Sequence, residues 1–261
     1  MSASPQIRTA LLENLKALHL PAMRACFEQA AQRAEKETLS YEQYLLELAE
    51  RECEARQRNR VAKLLRESGL PREKTMANFD QKRLPAKVGR QLRVLLDGSF
   101  LDRKENLLLF GKPGAGKSHL LCAVAHELIG QGRRIKYTSC ALLVQELLVA
   151  KRDLRLSKEI KKLAKHDGVI IDDMGYVQQS REEMEVLFTL LAERYERGSV
   201  LLTSNLPFSK WEGIFKDPMT TAAAIDRLVH HCVILELNIP SYRLEEAKKN
   251  QDTALDTGEA N

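Results

Sequence analysis

An α/β fold is what this sequence predicts: a five-stranded parallel sheet behind a small all-helical front end. Three observations carry the prediction. Beyond residue 100 the pattern alternates strand-like and helix-like segments. The strand-like runs are almost continuously apolar, as in Val169-Ile170-Ile171 and Val200-Leu201-Leu202, which suits a sheet covered on both faces. Finally, Gly111-Lys112-Pro113-Gly114-Ala115-Gly116-Lys117-Ser118 fits G-x-x-x-x-G-K-[ST] at every fixed position. An apolar run, 107–110, precedes it, and a helix-like run beginning at His119 comes after it.

The elements are expected in this order. Residues 6–67 read as helical, with Leu11, Leu12, Leu15 and Leu18 spaced for one face. Pro21 punctuates, and a second helix covers 22–36. Ser40-Tyr41-Glu42-Gln43 has the capping-box pattern and opens a third helix, whose apolar stripe is Tyr41, Tyr44, Leu45 and Leu48. That helix turns basic from Arg51 onward, and Arg56, Arg60 and Lys63 share a face. Glu47, Glu50, Glu52 and Glu54 lie close enough that pairing within the helix and binding of a partner both stay open. Gly69-Leu70-Pro71 ends the helix, and 70–85 reads as a linker. Strands are expected at 107–110, 134–138, 168–172, 199–203 and 232–237. Helices are expected at 117–130, 140–150, 183–197 and 221–229. The resulting organisation is a helical domain over 1–70, a nucleotide-binding domain over 71–245 and a polar tail over 246–261.

Composition sets bounds. The 261 residues fit one large domain or two modest ones, and a hydrophobic content of 44% supports a real core. A net charge of +5 points weakly to a polyanionic partner. Cys26, Cys53, Cys122, Cys140 and Cys232 are odd in number and scattered, the usage of reduced thiols in the cytoplasm. No apolar run approaches the roughly 20 residues that span a bilayer, and the N-terminus has no signal-peptide pattern. A cytoplasmic location with no membrane partner is expected.

The glycine-rich motif names the ligand. Its glycines let backbone N–H groups curl around an anion, and the helix after it points its positive end at phosphate. Gly111 to His119 are therefore expected to hold the phosphates of a nucleoside triphosphate such as ATP. Lys117 would reach the β- and γ-phosphates, and Ser118 would ligate Mg²⁺. Val169-Ile170-Ile171-Asp172-Asp173 reads as the strand that supplies the acids, although Asp-Asp-Met-Gly also suits a turn. Asp172 is expected to hold Mg²⁺ and Asp173 to polarise the attacking water. Asp173 is shorter than the Glu more often found at that position, so slow or partner-dependent hydrolysis is expected. Asn205, closing the next strand in Thr203-Ser204-Asn205, is expected to orient that water and sense the γ-phosphate. The alternative is a turn before Leu206-Pro207.

Together these motifs resemble the AAA+ ATPases, and more closely the clade of the helicase loader DnaC and the transposition helper IstB. LLLFGKPGAGKSHL, VIIDDMG, LLTSNLPFSKW, AAAIDRLVHHCVILEL and SYRLEEAK carry the resemblance over 75–245. YEQYLLELAERECEARQRNRVAKLLRESGLP looks like the IstB front end. The resemblance implies that Arg227 is an arginine finger acting in trans, where the residues alone also allow pairing with Asp226 or a helix cap. It implies a helical lid that must here be short or absent, with Arg243 as the sensor candidate.

Residues 151–165 hold seven basic against two acidic residues, a net +5. Lys151, Arg155, Lys158, Lys162 and Lys165 would form one stripe if the segment is a single helix, joined by Arg152 and Lys161. Such a run is often only a solvated face. In the resembled clade an insertion at this place contacts nucleic acid, which implies weakly sequence-specific, salt-dependent DNA binding here. The resemblance as a whole implies an ATPase that forms a ring or spiral on duplex DNA and recruits or stimulates a transposase. The alternatives are a DnaC-like helicase loader that prefers single strands, and an inactive nucleotide-gated scaffold.

Overall fold

The computed structural model describes residues 5–175, 180–215, 217–242 and 244–245. Arg243 and the expected tail over 246–261 lie outside the described residues. The chain divides into two compact units, Met1–Lys63 and Leu64–Asn261.

The first unit holds α1 (Pro5–Ala17), α2 (Pro21–Lys36) and most of α3 (Tyr41–Ser68). Phe27, Ala30 and Leu48 form its small core, with Leu12, Leu15, Met23 and Tyr44 packed against it. The capping box at α3 is made: Gln43 N–H donates to Ser40 Oγ, and Ser40 N–H donates to Gln43 Oε1 at 2.9 Å. Tyr41 and Leu45 depart from their expected place in the core and are exposed, because only the Tyr44–Leu48 side of the helix meets α2. Arg51, Arg56 and Arg58 each pair with the glutamate one turn earlier, so this part of the basic stretch is tied within its own helix.

The second unit carries α4 (Ala86–Leu95), α5 (Ser99–Asp102), β1 (Asn106–Gly111), α6 (Lys117–Gly130), β2 (Ile135–Ser139), α7 (Cys140–Arg152) and α8 (Leu156–Leu163). It continues with β3 (Gly168–Met174), α9 (Arg181–Arg194), β4 (Ser199–Ser204), α10 (Glu212–Phe215), α11 (Pro218–Val229) and β5 (Cys232–Leu237). The five strands are parallel in the order β2-β3-β4-β1-β5. Leu108, Val169, Ile171 and Leu202 face α7, α9 and α11 in one continuous core. Alternate residues such as Leu107, Leu109 and Ile170 are equally buried and turn to the opposite face, where α6 packs. Trp211 fills the core on the α7, α9 and α11 side and donates its Nε1–H to Leu206 O at 3.1 Å. None of the described helices is long and apolar enough to cross a membrane.

This order makes the site. From β1 the chain crosses to the far edge at β2, returns through β3 and β4, and then passes to the other side of β1 at β5. The crevice beyond the C-terminal end of β1 is the switch point where such sheets bind ligands.

One expected element is corrected. Residues 151–165 are not a single helix: α7 stops at Arg152 and α8 starts at Leu156. Leu154 takes a left-handed backbone, φ 56°, and Arg155 N–H reaches back to Ala150 O at 2.7 Å, which closes the helix end. The predicted stripe is thereby cut. Lys158, Lys161, Lys162 and Lys165 remain together on the outer side, opposite buried Ile160, while Lys151 turns to pair with Glu185.

Candidate functional site: a phosphate-binding cavity

Between β1 and α6 the backbone turns sharply. Gly114 and Gly116 have φ of 78° and 84°, a conformation that strains any residue with a Cβ. A Cβ on Gly114 would come within 2.0 Å of Ser241 Oγ, and one on Gly116 within 3.3 Å of Phe79. Gly114 is therefore required by close approach as well as by dihedral angle, and Gly116 by its dihedral angle. Gly116 is also the N-cap of α6, so the first turn of that helix opens directly onto the cavity.

Lys117 is buried, and its ammonium donates to the carbonyls of Gly111 at 2.8 Å and Lys112 at 3.1 Å. These bonds hold a desolvated cation over the loop. Beside it, Asp172 is 4% exposed and accepts three hydroxyl donors. Ser118 Oγ donates to Oδ1 at 2.7 Å, Thr203 Oγ1 to Oδ1 at 2.5 Å, and Tyr137 Oη to Oδ2 at 2.8 Å. Burial, reinforced by the Asp172 carboxylate, pushes the Tyr137 hydroxyl well above the usual phenol range and keeps it a donor. The hydroxyl of Ser118 and the carboxylate of Asp172 are hard oxygen donors in contact, a set that fits Mg²⁺.

Asp173 is set differently. It is exposed, has φ 59°, and sits where the β3–β4 register slips between Ile171 and Met174. A β-strand alternates its side chains, so two adjacent acids cannot both face one site without such a break. Asp173 N–H donates to Thr203 Oγ1 at 2.9 Å, and this bond fixes the slip. Asp173 and Asn205 both line the cavity with Lys117, Ser118 and His119, a space of about 430 Å³.

The opposite wall comes from the segment expected to be a linker, which supplies Lys74, Asn78, Phe79 and Arg83. His119 Nε2 lies 3.1 Å from Thr75 O, and Phe79 meets the His119 ring edge-on at 5.2 Å between centroids. Arg83 stacks over Tyr242, another lining residue, at 5.2 Å. Asn78-Phe79-Asp80 inside a polar stretch is the only sequence signal for this wall. Tyr137 and Thr203 give none beyond their place at strand ends.

Arg227 is not brought to this cavity. Its guanidinium lies 4.8 Å over the Phe188 ring and donates to Ala223 O at 2.9 Å. Asn106 anchors the end of the same helix by donating to Leu228 O at 3.0 Å. Within one chain Arg227 does not line the nucleotide space. The basic face of α8 also lies outside it, tethered from below by Arg194. That buried guanidinium donates to Leu163 O at 2.9 Å and Ser199 O at 2.9 Å.

The sequence profile of the IstB-like ATP binding proteins matches residues 13–250. A putative insertion sequence ATP-binding protein of Sinorhizobium fredii is 42% identical over 234 residues, 89% of this chain and 78% of that protein. The putative ATP-binding protein of insertion sequence IS21 from Pseudomonas aeruginosa is 35% identical, over 92% of this chain and 89% of that protein. Among solved structures, DnaI superposes with a TM-score of 0.55 at 21% identity, over 64% of this chain and 94% of that one. DnaA of Aquifex aeolicus bound to AMPPCP superposes with a TM-score of 0.54 at 17% identity, over 71% of this chain and 56% of that one. At these identities the structural likeness fixes an AAA+ fold.

Proposed function

This chain belongs to the IstB-like ATP-binding proteins of insertion sequences, and from that premise we propose that it is a Mg²⁺-dependent ATPase that assembles on duplex DNA in the cytoplasm and recruits or stimulates a transposase. The supporting observation is the meeting of Lys117, Ser118, Asp172, Asp173 and Asn205 at the end of one phosphate-binding turn. Ser118 and Asp172 would hold Mg²⁺, which would supply positive charge to the terminal phosphates. Lys117 contributes a second cation, already stripped of water. Asp172, locked by three hydroxyls, keeps one carboxylate geometry while the nucleotide comes and goes. Asp173 takes the proton of the water that attacks the γ-phosphorus as the bond to the ADP oxygen breaks, and Asn205 orients that water.

Arg227 completes the site from a neighbouring copy. Its distance from its own cavity favours that arrangement over one within the chain. A head-to-tail contact of this kind repeats into a ring or spiral. The basic face of α8 then repeats along the assembly and holds phosphate. Residues 1–70 serve as the adaptor toward other subunits or the transposase.

The test is binding to duplex and single-stranded DNA of equal length, with and without ATP, combined with mass measurement of the complexes. Multi-subunit complexes on duplex that require ATP are expected. Preference for single strands would favour a helicase loader, and assembly indifferent to ATP would refute nucleotide control.

A further inference from the structure

Leu154 is a feature that nucleotide chemistry does not use. It sits in the turn between α7 and α8, in the middle of the basic run. Its side chain is 95% exposed, more than any other large hydrophobic residue among those described. Its backbone is left-handed, which a branched side chain rarely adopts. The turn itself explains the backbone. Leu154 N–H donates to Lys151 O at 3.1 Å and Arg155 N–H to Ala150 O at 2.7 Å, the two bonds of a Schellman closure. Glycine is the usual residue at the left-handed position of that motif. The hydrophobic contact that accompanies the motif belongs to flanking positions, so leucine here buries nothing in return. Folding stability alone would place glycine at 154.

Two unfavourable features thus coincide at one residue, and the surroundings say what it faces. Arg152 and Lys158 flank it and form no short ion pair among the described residues, the neighbouring acids Asp153 and Glu159 being held by Arg155 and Lys162, and Lys161 and Lys165 continue the same exposed charge along α8. An apolar side chain held out from a hydrogen-bonded turn, between exposed cations, matches a DNA groove: phosphate on both sides and base edges between.

We propose that Leu154 is an apolar wedge that enters the groove of bound duplex DNA and partly opens a base step, while Arg152, Lys158 and Lys161 hold the adjoining phosphates. This inference rests on the DNA-binding reading given above. Insertion of Leu, Ile or Phe between base steps is a known way to exchange stacking for a larger protein contact. Pyrimidine–purine steps yield most readily, so the wedge favours them without any hydrogen-bonded readout. The cations bind any sequence, and the leucine adds a contact that salt does not screen.

The test uses the full chain with ATP and a duplex carrying 2-aminopurine at a TA step. Affinity is measured over a range of salt, together with the fluorescence rise that reports unstacking. Leu154→Gly is the decisive variant, because glycine suits the backbone and should raise Tm by roughly 2–4 °C. It is expected to bind duplex about tenfold more weakly, to keep the wild-type salt slope and to lose the fluorescence rise. Leu154→Met should retain all three wild-type properties. A Leu154→Gly protein that binds and unstacks like wild type overturns the wedge while leaving DNA binding intact. A wild-type chain that binds duplex without salt dependence, or not at all, overturns both readings. If Leu154→Gly prevents self-association in the absence of DNA, the side chain is a subunit contact and the wedge is wrong.

Discussion

Two regions of this molecule concentrate positive charge, and they are built in opposite ways. In the cavity at the end of β1, the cation is one buried lysine fixed by two carbonyls, and its acidic neighbour is fixed by three hydroxyls. On the α7–α8 face the cations are many, exposed and loosely held, and Arg155 and Lys162 each share their charge with an acid nearby. The first arrangement meets phosphate with little reorganisation, as transition-state stabilisation requires. The second, in the proposed DNA-binding reading, would gain affinity by number and by release of counterions, and would tolerate any sequence. One charged residue should therefore matter greatly in the cavity and little on the surface.

The largest expected effect tests the cavity half of that contrast. Lys117→Ala should lower the rate of ATP hydrolysis by roughly two to three orders of magnitude, with Asp173→Asn close behind but retaining nucleotide binding. Steady-state hydrolysis beside a fluorescent-nucleotide titration separates the two. A Lys117→Ala protein within about threefold of wild type would erase the distinction between the regions.

Next in size is the hydroxyl network. Tyr137→Phe removes the donor to Asp172 Oδ2 while keeping the ring that fills the space. The Mg²⁺ concentration giving half-maximal rate should rise about tenfold, with the rate at saturating Mg²⁺ changed little, because the residue orients a metal ligand and touches no substrate. An unchanged Mg²⁺ requirement would mean that Ser118 and Thr203 suffice to hold the carboxylate.

On the surface the expected losses are smaller and additive. Lys158→Ala and Lys161→Ala should each weaken duplex binding a few-fold and lower the slope of log affinity against log salt by about 0.9. A single substitution that abolishes binding would show that the face is a focused site after all.

The smallest effect concerns the support beneath that face. Burial holds the His166 imidazole below its usual value of 6.5, so the unfolded chain takes up the proton more readily than the folded one. Stability should be full above that value and decline as pH falls below it toward the depressed folded value. His166→Gln should flatten the Tm-against-pH curve below about pH 6.5, and equal slopes would dismiss this contribution.

The same contrast explains how much is legible in the sequence. The cavity motif is contiguous, and its function is carried by backbone shape, so Gly111 to Ser118 announce it without any knowledge of the fold. The near-continuous apolar strands likewise give the five-stranded parallel sheet. Tyr137 and Thr203 are silent in the sequence because they reach the site only through the pairing of β2 with β3 and β3 with β4, and Phe79 shows only as one aromatic in a segment that reads as a linker. The basic run is visible as composition, but its geometry is not. A left-handed leucine at 154 has no sequence signature, since the expected punctuation there is glycine or asparagine. Tyr41 departs from expectation for a related reason: periodicity marks an apolar face but not how far its neighbour extends along it.

What joins the two regions is the placement of Arg227, away from its own cavity and on a helix whose end is pinned by Asn106. If a neighbouring copy supplies this residue to each nucleotide, then assembly on DNA and hydrolysis are one process. The direct measurement is hydrolysis by Lys117→Ala and Arg227→Ala proteins, each alone and then mixed in equal amounts. Both should be nearly inactive alone. The mixture should recover about a quarter of the wild-type rate, since an intact pocket then meets an intact arginine at roughly one contact in four. An Arg227→Ala protein as active as wild type, or a mixture no better than its parts, would contradict a site shared between subunits.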